Sequence, residues 1–193
     1  MQSLSSNNFG LIIAYLLPGL IVLVGLRIHS PLLHAWLLGT PGSGDVTIGG
    51  FLFSTLAALL LGLICSTVRW LIVDTLHHAT GIKPPKRDFR RLQQNVDAYR
   101  MVEANHYQYY QFYGNALVAF LVAFGSVRLA DAAIFFPIAD LLMAALCGLL
   151  YLGSRDTLAK YYARVQALLE YSETLILPAR RHDISCSRWP RGR

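Results

Sequence analysis

Apolar residues fall into four long runs separated by polar stretches, and the lengths of the runs predict four membrane-spanning helices. Phe9 to Leu26 offers 18 residues without a charge, close to the roughly 20 that a helix needs to cross about 30 Å of hydrocarbon. The second run, Ile48 to Val73, is apolar as far as Val68 and then carries Arg69 and Trp70. The third and fourth are expected at about 109–127 and 132–153, the fourth interrupted by Pro137 and Asp140 and capped by Asp131. Between the first two runs, Ser30-Pro31 followed by Leu-Leu-His-Ala-Trp-Leu-Leu predicts a short interfacial helix, with serine as N-cap and proline at the first helical position. Lys83-Pro84-Pro85 ends the second helix, because each proline lacks a donor and disfavours helical geometry in the residue before it.

Two of the spans continue beyond their apolar parts. From about Lys86, the residues Phe89, Leu92, Val96 and Tyr99 recur on one helical face, so the third span is read as the continuation of a water-exposed helix over 86–108. Its entry is aromatic: four tyrosines and Phe112 lie between Tyr107 and Tyr113, suiting a boundary where the ring sits among acyl chains and the hydroxyl reaches water. After the fourth span, Leu158, Tyr161, Val165, Leu168, Ser172 and Leu175 keep a helical register over 154–177, until Pro178. The two extensions are expected to pair as a cytosolic antiparallel hairpin, with Tyr99 opposite Tyr161, Val96 opposite Val165, and Glu103 and Asp97 level with Lys160 and Arg164. Residues 178–193, rich in arginine and without periodicity, read as a disordered basic tail.

Composition agrees with an all-α, polytopic membrane protein: 54% of residues are hydrophobic and only 15% charged, more apolar surface than an ordinary soluble domain can bury. The chain of 193 residues leaves no room for a second globular domain. The formal charge of +6 is no argument for a nucleic-acid partner, because the cations flank the spans. With both termini inside, 15 Lys and Arg fall on the cytosolic side against 2, Arg27 and Arg128, outside, as the positive-inside rule requires. This places the chain in a bacterial-type inner membrane. The first run lacks a basic n-region and a cleavage site, so it is read as a span and not as a signal peptide.

Three constellations carry candidate chemistry. At the cytosolic interface, Arg69, Asp74, His77 and His78 of the second helix are expected at the depth of Arg100, Glu103, His106 and Tyr107 of the third, with Arg69 reaching out to the headgroups. Guanidiniums, imidazoles and acids at one depth can bind a phosphate or perform acid-base chemistry, making Arg100, Glu103 and His106 the catalytic candidates. Arg100 and His106 also form an R-x5-H spacing that resembles, over seven residues, the short motif of HEPN-type ribonucleases; the resemblance implies a scissile RNA phosphate, whereas the histidine here falls against the membrane. Asp140 and Asn115 are the intramembrane polar residues, each expected to seek a neighbouring helix. Cys65, Cys147 and Cys186 show no metal-ligand spacing, and no cofactor or metal is implied.

The leading functional reading is a non-enzymatic multi-pass protein whose helical stalk mediates oligomerisation or receives a cytosolic partner or signal, its partners being the bilayer, further copies of itself and a cytosolic protein. An oligomeric channel or membrane-disrupting effector with Asp140 and Asn115 on a central path is the second, and a membrane enzyme acting on a phosphate-containing substrate at the cytosolic interface the third.

Overall fold

A computed structural model describes residues 6–39, 48–85, 96–130 and 137–185. All of its regular elements are helices, four of them long and apolar enough to cross a membrane. Helix α1 (Ser6–Leu26) passes through a 3-10 turn at Arg27–His29 into the short α2 (Pro31–Leu38). The second span is α3 (Ile48–Arg69), a π-helical turn at Trp70–Asp74, and α4 (Thr75–Ala79). The third is α5 (Val96–Val102), a second π-helical turn at Glu103–Tyr107, and α6 (Gln108–Ala130). The last helix, α7, runs over Pro137–Ser185.

The expected α2 is present with its N-cap: Ser30 Oγ accepts the backbone N–H of Leu33 at 3.4 Å, and Pro31 stands in the first turn. Helix α7 continues beyond the stop expected at Pro178. That proline removes one backbone bond, to the carbonyl of Thr174, and the turns on either side persist. The expected seam residues Phe89 and Leu92, the Asp131 cap and the last eight residues of the tail lie outside the described residues.

Close approach of backbones organises the spans. The inward stripe of α3 is Gly50, Ser54, Ala58, Gly62 and Cys65, all buried, and small residues at such spacing let helices touch where lipid supplies no hydrophobic drive. A Cβ on Gly19 of α1 would stand 1.7 Å from the carbonyl oxygen of Ala58, and one on Gly62 would stand 2.0 Å from that of Tyr15. On its other side α1 meets α6, where a Cβ on Gly25 would lie 2.5 Å from the Cα of Ala123. Helix α1 is thus wedged between α3 and α6, with Ala14, Val22 and Leu23 buried. Helix α7 packs on α6, with Gly153 against the Tyr113 ring. Leu158, Tyr161, Val165 and Leu169 of α7 form a second buried cluster with Tyr110, bordered by Tyr99, Val102 and Tyr107. Most remaining large apolar side chains of α3 and α7 point outward, Phe51, Leu60, Leu141 and Leu149 among them.

Candidate functional site

At Arg69 the inward stripe of the second span changes character: after the small residues come Arg69, Val73 and His77, each buried and each four positions from the last. Arg69 is 4% exposed. The expectation that it reaches out to the headgroups is corrected by its surroundings, which supply acceptors inward for Nε and Nη1. Gly114 makes the room, since a Cβ there would lie 2.5 Å from Arg69 Cδ. Nε donates to Asn115 Oδ1 at 3.1 Å, Nη1 donates to Asp74 Oδ1 at 3.0 Å and Oδ2 at 3.3 Å, and the guanidinium carbon stands 4.8 Å over the Tyr110 ring.

The π-helical turn explains how Arg69 and Asp74 meet. In an α-helix, residues five apart point about 140° away from each other. The wider turn at Trp70–Asp74, with its i→i+5 bonding, brings the carboxylate round beneath the arginine. The Tyr110 hydroxyl donates to the same carboxylate, so Asp74 is held by a cation and a phenol at once.

Asn115, fully buried, faces two ways. Its oxygen takes the bond from Arg69, and its Nδ2 donates to the backbone carbonyl of Ala14 at 2.9 Å. That carbonyl is the one facing the nitrogen of Pro18, which has no hydrogen to give. The fourth helix joins through His77, also fully buried, whose Nε2 lies 3.1 Å from Ser154 Oγ and whose ring stands 5.0 Å from Tyr151. His77 Nδ1 has no partner among the described residues. Every span therefore contributes to one polar layer: Ala14 from the first, Arg69, Asp74 and His77 from the second, Tyr110 and Asn115 from the third, Ser154 from the fourth.

The remaining candidates lie outside this layer. His78 is exposed, its Nε2 3.3 Å from the Tyr162 hydroxyl. Tyr107 packs its ring 5.8 Å from Tyr110 and 5.2 Å from Tyr161. Arg100 is exposed, Glu103 and His106 are half-buried in or next to the second π-helical turn, and His106 Nε2 has no partner among the described residues. The structure does not bring Arg100 together with His106, nor either of them to Arg69. Asp140 pairs with Arg128 of α6, near the opposite end of that helix from Asn115. Asp140 and Asn115 thus face separate partners.

Sequence reasoning overlooked Tyr110, Gly114 and Ser154. A signal for the Asn115–Ala14 contact was nonetheless present: a proline within a span leaves one carbonyl needing a donor, and Asn115 was the unassigned polar group of a neighbouring span. Ser154 carried no comparable signal. Comparison of the chain with protein-family models, with curated proteins and with solved structures finds no match.

Proposed function

We propose that the chain is a multi-pass inner-membrane protein, with both termini cytoplasmic, whose third and fourth helices leave the bilayer as a paired stalk that docks a second copy or a cytosolic protein and performs no chemistry of its own. The observation that carries this reading is the polar layer around Arg69, which binds all four spans at the level from which α5 and α7 run on together. A change in the packing of the stalk would reach every span through it.

The proportions of α7 support the stalk. Its 49 residues extend about 74 Å, more than twice the roughly 30 Å of a hydrocarbon core. Beyond the polar layer, the Tyr99 and Tyr161 hydroxyls lie 3.0 Å apart, and Val165 and Leu169 remain buried. The opposite face of α7 exposes Ala159, Ala163 and Ala167 at successive turns, beside Asp156, Lys160 and Glu170, a surface of short and charged side chains that a further helix or a polar partner can meet. The bonds of Arg69, Asp74 and Asn115 are made within the bundle, which favours a structural joint over a catalytic centre.

Reporter fusions at Gly42 and Arg87 should report opposite sides of the membrane; the same side for both would reject the topology. In a background without native cysteines, Val96→Cys with Val165→Cys should bridge within one chain more readily than Val96→Cys with Leu158→Cys. The reverse order rejects the stalk. Ala163→Cys should bridge between copies if the docked partner is the chain itself; only monomer would assign the face to a cytosolic protein.

A further inference from the structure

At the end of the bundle away from the Arg69 layer, α1, α6 and α7 enclose a groove of about 650 Å³. Leu17, Leu20 and Val24 of α1, Phe120 and Phe124 of α6, and Met143 of α7 are among the side chains that line it. Its floor is set where Gly25 lets the backbone of α1 close on Ala123. At its mouth stand two cations, Arg27 and Arg128. Arg128 is paired with Asp140. Among the described residues, no hydrogen bond or ion pair holds the Arg27 guanidinium, and the described charged groups at the mouth, Arg27, Arg128 and Asp140, sum to one positive charge.

We infer that this groove binds one anionic phospholipid, an acyl chain lying along the apolar walls and the phosphate on Arg27. Three properties point to this occupant. The volume lies within the range of about 300–1,000 Å³ typical of small-molecule sites. From Leu17 to Arg27 is ten residues, about 15 Å of helix rise, which is the depth of one leaflet of a bilayer whose hydrocarbon core is about 30 Å thick. The wall runs from wholly apolar at the membrane centre to cationic at the boundary, the same gradient that a lipid of that leaflet presents.

Anionic headgroups are selected over zwitterionic ones because a phosphatidylcholine carries its own cation beside the phosphate. Phosphatidylglycerol brings none, so its charge is complementary to the positive charge of Arg27. The 3-10 turn that carries Arg27 is itself fixed to the third span, since His29 Nε2 lies 3.0 Å from the carbonyl oxygen of Ser126. The guanidinium is thereby tethered near the groove mouth.

Native mass spectrometry of the full chain in detergent, titrated with phosphatidylglycerol or phosphatidylcholine of identical acyl chains, tests the assignment. The wild type should retain one phosphatidylglycerol with about tenfold preference, the scale of one charge-assisted contact. Arg27→Gln should bring the two lipids to near parity, Arg27→Lys should keep part of the preference, and Ala139→Phe, which fills the groove beside Met143, should weaken retention of both. Soluble glycerol phosphate should fail to displace the lipid. Equal retention of the two lipids by the wild type, or an undiminished preference in Arg27→Gln, would mean an unselective lipid annulus and overturn the inference. Full displacement by glycerol phosphate would overturn it equally, by showing a site for a free anion. Should Arg27→Gln fail to fold, Arg27→Lys and Ala139→Phe decide the matter, since unchanged lipid binding in both leaves neither the charge nor the groove a role.

Discussion

Asn115 Nδ2 donates across 2.9 Å to the carbonyl of Ala14, the group that Pro18 deprives of its helical donor. Two departures from ideal span composition, a proline in one helix and an amide in another, thus correct each other, as expected in a medium that offers backbone groups no water. Asn115→Leu should destabilise the bundle by about 1–3 kcal/mol, because it strands both the Ala14 carbonyl and the Arg69 Nε donor. Pro18→Ala restores a helical donor to Ala14, so the same substitution should cost less in that background. Coupling should fall in the range of about 0.6–1.7 kcal/mol measured for hydrogen bonds between membrane helices. Reversible unfolding in mixed detergent micelles reads the cycle; strict additivity would mean the two residues act independently.

Arg69 and Asp74 form the ion pair of the same layer, with side chains 5% and 15% exposed. Removing either member leaves a charge with reduced compensation in a low dielectric, so Arg69→Met or Asp74→Leu alone should each cost about 3–5 kcal/mol. The double variant should be less destabilised than the sum, since no charge is then left unpaired. The same unfolding assay checks this, and a double variant as damaged as the sum would show that the pair is not coupled.

Glycines divide into two classes on the same physical ground. Gly114 has Arg69 Cδ 2.5 Å from the position of its missing Cβ, whereas Gly125 and Gly148 have nothing within 4 Å of theirs. Alanine raises helix propensity by about 1 kcal/mol over glycine when there is space. Gly125→Ala and Gly148→Ala should therefore be neutral or stabilising, and Gly114→Ala destabilising, because the arginine it displaces is held by hydrogen bonds to Asn115 and Asp74. Thermal aggregation midpoints of the three purified variants should rank in that order.

The helical class and the four helices long and apolar enough to cross a membrane were legible because run length is a local property of the chain. The short helix after Ser30-Pro31 was legible for the same reason. The polar layer was legible only in its membership: Arg69, Asp74, His77 and Asn115 stood out as polar residues in or beside apolar runs, but the direction each side chain takes did not. Arg69 was expected outward because a long cation at the end of a span usually reaches water. What reversed it, the space over Gly114 and the π-helical turn that carries Asp74 round, depends on packing between helices and on a local change of helical pitch, and neither leaves a periodic trace. Asp140 is expected to seek a neighbouring helix and meets Arg128 of the preceding one; the identity of that partner was not legible, since Arg128 counted only as a topology signal.

The Arg128–Asp140 pair gives the last test. Its side chains are 27% and 30% exposed, so the attraction is screened and its worth lies near the about 0–1 kcal/mol of surface pairs. Reversing one charge adds a repulsion to the lost attraction, because two like charges would then face each other at the mouth of the groove. Arg128→Asp alone and Asp140→Arg alone should therefore each destabilise the bundle by more than simple loss of the pair in Asp140→Ala. The double swap, which restores opposite signs at the same positions, should recover most of the loss. If Asp140 instead served a conducting path together with Asn115, Asp140→Ala would alter ion flux in liposomes as strongly as Asn115→Ala. The separate partners of the two residues predict that Asp140→Ala leaves flux at the level of protein-free vesicles or of wild type, whichever the wild type shows. A flux change specific to Asp140→Ala, with stability unaltered, would overturn the structural assignment of that carboxylate.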